Sequence, residues 1–401
     1  MTTMAAIQRP RLRVVRPGER APERAAEATA RRSIRLLIGS TVFLTIAGLI
    51  IVLSASSVYA CERIGSCFYF FQKQAAYAVV GGLALVVTSG MRYQAWRRLA
   101  LPLMLITIAL LVVVLHPAAS VEAYGASRWI GVGPVTVQPS ELAKLALIVV
   151  AAAVVSRKTG RLSEPREVLM PLAPLAAFVC GLVFIQPDLG TTIVLGGIVF
   201  VSLFVGGARL RHLFVAAFGL AVTATLLLRD YQWDRITAFL DPDASRMSEG
   251  WQLYQSLIAL GSGGWFGVGL GASRQKWLYV PNAHTDFVFS ILGEELGLAG
   301  ELVILIAFAV MLFAGVRIAA AAPDAFGRLL SAGIVGWFGI QIVVNLGAVT
   351  GLLPITGVPL PFLSYGGSSL VVSLSAVGIL VSVARAGARA ERRRAPARAA
   401  A

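Results

Sequence analysis

Ten apolar runs punctuate the chain, near residues 34–55, 74–90, 99–116, 140–156, 168–185, 190–206, 211–228, 287–316, 329–350 and 368–384. Most approach the ~20 residues an α-helix needs to cross a bilayer's hydrocarbon core. The runs are continuous rather than alternating, so they predict helices and not the strands of a β-barrel. The polar positions between them are asymmetric in charge. Arg92, Arg97 and Arg98 follow the second run, and Arg157, Lys158, Arg161 and Arg166 follow the fourth. Arg209 and Arg211 follow the sixth, and Arg317 and Arg328 the eighth. Short cytoplasmic loops are enriched in Lys and Arg, which places these loops and both termini in the cytosol. Loops 56–73, 117–139, 229–286 and 351–367 then face outward. The expected architecture is an all-α integral membrane protein of about ten transmembrane helices, with a large extracytoplasmic loop between the seventh and eighth. Residues 1–33 and 386–401 read as basic cytoplasmic tails around a membrane domain at 34–385, whose outer loop spans about 229–286.

Composition agrees. The 401 residues are 57% hydrophobic and 14% charged, and mean hydropathy is +0.78. Soluble domains average roughly 45–50% apolar and about 25% charged. A water-soluble enzyme, a disordered chain and a coiled coil are excluded. The formal net charge of +15 does not indicate a nucleic-acid partner. Arginines crowd ahead of Ile34 and from Arg385 onward, where they flank membrane helices and meet cytosol and anionic lipid. Cys180 lies in an apolar run. Cys61 and Cys67 share one short polar loop and are either two free thiols or, if the loop faces an oxidising compartment, a disulfide. No cleavable signal peptide is read, because the polar lead before Ile34 is long and no small-residue cleavage site follows.

The long loop ahead of Asp286 holds Trp233, Trp251, Trp265 and Trp277. Within it, Leu253, Tyr254, Leu257, Ile258 and Leu260 recur at helical spacing, which predicts an amphipathic helix on the bundle or the membrane surface. Gly261 to Gly271 predicts tight backbone turns rather than a phosphate cradle. No strand precedes it, and Ala272 stands where a third glycine would complete the nucleotide fingerprint. Pro354, Pro359 and Pro361 prevent a plain helix over 353–367, so that backbone must be buried in protein or line a wet cavity.

Ionisable groups in a bilayer are expensive and default to paired or functional roles. Glu141 and Lys144, three residues apart, share a helix face and form an ion pair that is purely structural or also organises a substrate cavity. Asp188 opens the sixth span, where a carboxylate suits a helix N-terminus. Glu294 and Glu295 lie within the eighth span. Asp286, in Pro281-Asn282-Ala283-His284-Thr285-Asp286-Phe287, is the last polar residue before that span. An N-cap is the ordinary role for such an aspartate. Arg274 and Lys276 upstream point instead to a site for a phosphate-bearing substrate. There a carboxylate accepts a proton and cations stabilise a phosphate leaving group. His284 is a hydrogen-bonded structural residue or a participant in that site. No zinc spacing, Ser-His-Asp order or Walker loop is present.

These motifs carry a resemblance. Gly125-Ala126-Ser127-Arg128-Trp129-Ile130 with Gln138-Pro139-Ser140-Glu141-Leu142-Ala143-Lys144 resembles an outer-loop signature of the SEDS family (shape, elongation, division, sporulation). Gln186-Pro187-Asp188-Leu189-Gly190-Thr191 resembles its second signature. Gln275-Lys276, Pro281 to Phe287 and Gly293-Glu294-Glu295-Leu296-Gly297 resemble its third, and Leu363 to Ser369 its last. The likeness covers roughly residues 34–385 and leans to the division-type branch through the 230–271 stretch and the Ser-Tyr-Gly-Gly-Ser-Ser ending. One departure is Leu278, where many division-type relatives carry a glutamate.

The resemblance implies a ten-helix peptidoglycan glycosyltransferase of the bacterial cytoplasmic membrane, working at the division septum on lipid II. It also implies a class B penicillin-binding protein and other division proteins as partners. In that reading Asp286 is the catalytic base. Arg274, Lys276 and Arg128 are pyrophosphate contacts, and His284, Glu141, Lys144 and Glu294 line the substrate site. A divalent cation, magnesium or manganese, is compatible with a pyrophosphate leaving group, although the sequence contains no dedicated metal cage. The rivals are an elongation-type polymerase, a lipid II flippase and an idle scaffold. Ionisable residues cluster toward the outer half rather than through the full membrane depth, which favours chemistry at the outer face over transport.

Overall fold

The structure is a computed structural model. It describes residues 21–117, 120–123, 126–133, 135–158, 165–226, 230–241, 250–277, 279–280 and 283–398. Gly125, Arg161, Leu278, Pro281 and Asn282, named above, lie outside these.

Each apolar run falls on a helix: α1 (Ala21–Ile64), α2 (Tyr69–Gly90), α3 (Tyr93–Val113), α4 (Pro139–Val155), α5 (Pro165–Ile185), α6 (Leu189–Gly206), α7 (Leu210–Leu226), α10 (Val288–Ala320), α11 (Ala325–Val349) and α12 (Gly367–Arg398). Among the described residues, seven helices are long and apolar enough to cross a membrane: α1, α2, α3, α6, α10, α11 and α12. The chain is a mostly helical, multi-pass membrane protein. α5 and α7 contribute shorter apolar stretches, Leu172–Ile185 and Leu210–Gly219. After Lys144, α4 is apolar all round, and it is buried along nearly its whole length, as a helix at the centre of a bundle must be. It packs against α3, α6 and α11, while α12 lies chiefly against α2 and α1.

Two features depart from expectation. The chain is not all-α: β1 (Ser120–Ala123), β2 (Ala126–Val132) and β3 (Val135–Val137) form an antiparallel sheet in the order β1-β2-β3. Alternating Ser-Arg-Trp-Ile and Val-Thr-Val segments suit strands, and Gly133, at φ 61°, supplies the turn between β2 and β3. The basic flanks also continue as helix beyond the apolar spans. α1 starts at Ala21 and α12 runs to Arg398, and Arg392 pairs with Glu27, which brings the two flanks to one end of the bundle. Cys61 and Cys67 are joined as a disulfide across the α1–α2 turn, while Cys180 is a buried free thiol.

The segment between α7 and α10 holds α8 (Asp230–Leu240) and α9 (Trp251–Gly263). The helix expected from Leu253 to Leu260 is α9, but it packs through a different face. Leu253, Ser256, Ala259 and Gly263 are buried, while Leu257 and Ile258 are exposed. The small residues permit close approach to α10: Ser256 Oγ lies 2.7 Å from Ser290 Oγ and donates to Val349 O at 2.8 Å.

The proline-rich stretch after α11 is buried irregular backbone, with Val358, Leu360, Phe362 and Leu363 in the core. Amide side chains satisfy several of its backbone polar groups. Gln341 donates to Pro359 O at 2.7 Å and Asn345 to Val358 O at 2.7 Å. Gln74 donates to Ser364 O at 3.1 Å and accepts from Gly366 N at 3.2 Å. Such pairing is what makes non-helical backbone tolerable at membrane depth.

Candidate active site

Asp286 sits in the turn just before α10 and does not cap that helix. The N-cap is Phe287, which has no side-chain capping bond. The carboxylate is therefore placed without the ordinary role for an aspartate at this position. Its backbone carbonyl accepts from Asn345 Nδ2 at 2.8 Å, fixing the turn to α11. Gly357, at φ 72°, leaves room over the side chain: a Cβ there would lie 3.6 Å from Asp286 Oδ2. Asp286 is partly buried, and burial pushes its pKa up to about 6. The charges of Arg235 and Arg128 pull the other way, and Asp188 adds to the rise.

Those neighbours come from three further elements. Arg128, on β2, donates from Nε to Gln186 O at 3.2 Å and from Nη2 to Pro187 O. Its Nη1 stands 3.9 Å from Asp188 Oδ1. Asp188 is the N-cap of α6 and accepts from Thr191 N at 3.1 Å. Arg235 lies on α8, beside a small cleft that it lines with Ala238, Phe239, Gly250, Leu253 and Ile355. One carboxylate poised near neutrality thus stands among two guanidinium groups and a second acid, delivered by a strand, two helices and a turn.

The remaining sequence candidates are engaged elsewhere. α10 is broken at Gly297, where φ is 66° and ψ −170°, values open mainly to glycine. The glycine-rich loop repairs the break. Val268 N and Gly269 N donate to Glu294 O and Glu295 O, each at 3.0 Å, and Gly264 O and Trp265 O accept from Leu298 N and Ala299 N at 2.9 and 3.0 Å. The tight turns expected here are present, with Gly264, Gly267, Gly269 and Gly271 all at positive φ. Glu294 accepts from Ser273 Oγ, Arg274 N at 2.9 Å and Gln275 N at 3.3 Å. Glu295 accepts from Ser54 Oγ at 2.5 Å and pairs with Lys276 Nζ at 3.7 Å. Lys276 is buried and also donates to Gly271 O. Arg274 is exposed.

Glu141 and Lys144 form a sealed pair at 2.8 Å, both 1% exposed. Lys144 Nζ also donates to Gln341 Oε1 at 3.1 Å and lies 5.1 Å from the Trp337 ring centroid. His284 is packed between rings, with centroids at 4.6 Å (Phe70), 5.7 Å (Tyr365) and 5.9 Å (Tyr59). Burial holds it neutral, its pKa lowered to about 4. Its Nε2 has no hydrogen-bond partner among the described residues.

Of the residues singled out from sequence, Arg128 and Asp188 join Asp286, while Lys276 and Glu294 bind the loop and Glu141 with Lys144 bind the core. Arg235 and Asn345 were not anticipated. Arg235 was legible only as a cation in the long outer loop. Asn345 lay inside an apolar run, where a buried amide was the available signal.

Known proteins are similar to this chain in sequence and fold. A family model, FtsW/RodA/SpoVE, described as a cell cycle protein, matches residues 34–388. Stage V sporulation protein E of Bacillus subtilis is 43% identical over 352 residues, covering 87% of this chain and 96% of that protein. A probable peptidoglycan glycosyltransferase FtsW of Trichlorobacter lovleyi is 42% identical over 352 residues, covering 87% and 92%. A solved structure described as "Structural coordination of polymerization and crosslinking by a peptidoglycan synthase complex" matches with a TM-score of 0.73 at 31% identity, covering 87% of this chain and 96% of that one. The rod shape determining protein RodA of Thermus thermophilus matches with a TM-score of 0.63 at 32% identity, covering 86% and 95%.

Proposed function

The chain belongs to the FtsW/RodA/SpoVE family and is a peptidoglycan glycosyltransferase; we propose that it polymerises lipid II at the outer face of the bacterial cytoplasmic membrane during division. Ten helices cross the membrane in this reading, α1 to α7 and α10 to α12, with both termini in the cytosol. The Arg392–Glu27 contact between the flanks supports a common side. Asp286 takes the proton from the 4-hydroxyl of the acceptor GlcNAc. That oxygen attacks the anomeric carbon of the donor, the bond to the lipid pyrophosphate breaks, and inversion of the α-linked donor gives a β-1,4 linkage.

The observation that carries the reading is Asp286 itself. It is a carboxylate with a pKa near 6, free of helix capping, with Arg128 and Arg235 acting on it. A base poised near the working pH is the one best suited to proton transfer. The guanidiniums suit the pyrophosphate, as preorganised donors to a developing charge. Arg274, exposed at the loop surface, is a further contact for the lipid-linked phosphates. Glu294 and Lys276 support the substrate site by holding the 271–276 segment, and Glu141 with Lys144 by bracing the core beneath Pro359. His284 is proposed to shape the site through its ring contacts. Among the described residues no group of three His, Cys, Asp or Glu side chains could hold a metal ion, so no step is derived through a divalent cation.

A class B penicillin-binding protein is the proposed partner, supplying cross-linking to the strands made here. The test is polymerisation of labelled lipid II by the purified protein, with and without that partner. Lysozyme-sensitive glycan strands are expected. Transbilayer movement of lipid II without polymer would replace the enzyme reading with a transporter.

A further inference from the structure

The glycine-rich loop presents its large apolar side chains outward while its backbone is tied down. Trp265, Phe266, Val268 and Leu270 are 71%, 84%, 44% and 59% exposed. The same stretch is fastened to the break in α10 by the four backbone hydrogen bonds described above, so these side chains are held away from the core on a rigid support. The apolar surface continues onto α10, where Leu298, Leu302 and Ile306 are exposed below the break. Contiguous exposed apolar surface of this kind marks an interaction site.

Its depth follows from helix geometry. Gly297 is twenty residues before Arg317 on α10, about 30 Å at the rise of an α-helix. Ser54, whose hydroxyl meets Glu295 beside the break, is nineteen residues beyond Arg35 on α1, about 28 Å by the same rise. Two helices thus place the break about one hydrocarbon thickness from the basic ends. This is the opposite interface, where tryptophan and other amphipathic or apolar rings settle among lipid headgroups.

We propose that Trp265–Leu270 is an interfacial membrane anchor, a rigid apolar wedge seated in the glycerol and headgroup layer of the outer leaflet. Its ligand is phospholipid. Seated there, it holds the Glu294–Glu295 break, and with it the 271–276 segment, at a fixed height relative to lipid-linked substrate. The assignment of the outer leaflet rests on the membrane orientation proposed above.

The test uses the full chain with Phe266→Cys or Leu270→Cys, each carrying a bimane fluorophore. Cys61 and Cys67 are bonded to each other and Cys180 is buried, so each introduced thiol is the accessible one. The protein is placed in phosphatidylcholine–phosphatidylglycerol vesicles containing nitroxide phospholipids labelled near the glycerol, with aqueous iodide as the competing quencher. Strong quenching by the lipid nitroxide and weak quenching by iodide are expected at both positions. Strong iodide quenching without lipid quenching at both positions would overturn the anchor. So would strong iodide quenching without the partner that gives way to shielding from both quenchers when a class B penicillin-binding protein is added, which would make the loop a protein-docking surface. Labelling Arg392→Cys with an impermeant thiol reagent tests the orientation separately. If Arg392→Cys and Phe266→Cys react from the same side, the orientation and the outer-leaflet assignment fail, while lipid quenching still reports whether the loop touches the bilayer.

Discussion

Two charged clusters lie in the same half of the bundle, and they are built to opposite ends. The Glu141–Lys144 pair is closed: 2.8 Å apart, both side chains nearly inaccessible, with the ammonium shared by Gln341 and lying near the Trp337 ring. The Asp286 cluster is open. Asp286 is only partly buried as a residue, its side chain caps no helix, and it feels Arg128 and Arg235 from separate elements. Arg128 reaches Asp188 only at 3.9 Å. The two charges of this pair neutralise each other out of reach of solvent, although Glu141 Oε2 has no hydrogen-bond partner among the described residues, and breaking the pair leaves an uncompensated ion. A carboxylate pushed up to about 6 can change protonation state, and the guanidinium groups acting on it suit an incoming anion. Buried charge in this protein thus signals function through which groups share it rather than through its presence.

Asp286→Asn breaks the comparison most directly. The amide keeps the shape and removes the base. Loss of a general base lowers rate by about 10²–10⁴-fold, with expression and melting unchanged because no capping bond is lost. Polymer yield at matched protein level is the measurement. Near-wild-type yield would remove Asp286 as the base and leave the open cluster as an electrostatic accident.

The closed cluster predicts the reverse pattern. Lys144→Ala strands Glu141 in the core, and breaking such a pair costs about 3–5 kcal/mol. The double variant Glu141→Gln/Lys144→Met should melt closer to wild type than Lys144→Ala alone. Equal melting of single and double variants, read by intrinsic fluorescence in detergent, would dissolve the contrast between the two clusters.

Helix positions were legible because hydrophobic runs report burial in lipid and protein alike, one residue at a time. The site was half legible. Asp286 and Asp188 each stand at the edge of an apolar run, and Arg128 is the lone cation of the loop 117–139, so each charge is conspicuous. Lys276 looked equally suited to phosphate. What redirects it is Glu295, nineteen residues away and two residues before the helix break at Gly297. Break and loop satisfy each other's backbone, and no local pattern encodes that pairing. Arg235 was hidden for the opposite reason: a cation on a short helix in a long polar loop is ordinary until the fold carries it to Asp286. The small sheet was written in the Val-Thr-Val alternation, but three short strands beside ten apolar runs carry little weight in a pattern search.

Arg235 sharpens the comparison through pH. Asp286 works ionised, so kcat/KM should rise by about tenfold per pH unit below the pKa near 6 and level off above it. Arg235 favours the ionised form. Arg235→Gln should therefore move the acidic limb to higher pH and raise KM for lipid II. Lys276→Met should leave the position of the limb unchanged, because the lysine faces Glu295. If both variants move the limb equally, Arg235 has no special standing at Asp286.

The smallest expected effect tests whether Glu294 and Glu295 belong with the closed or the open cluster. Ser54 Oγ donates to Glu295 at 2.5 Å, linking α1 to the break in α10. Hydrogen bonds to charged groups contribute about 1.5–3 kcal/mol. Glu295 also retains Ser273 N at 3.4 Å and Lys276 at 3.7 Å when the hydroxyl is removed, so Ser54→Ala should fall at or below the low end of that range. The loss should appear as a slightly lower melting temperature and faster hydrogen exchange in residues 264–276. The pH profile of polymerisation should stay where it was, because the carboxylate anchors backbone and takes no part in proton transfer. A shifted profile without destabilisation would instead couple Glu295 electrostatically to Asp286 and make the two outer acids a single titrating unit.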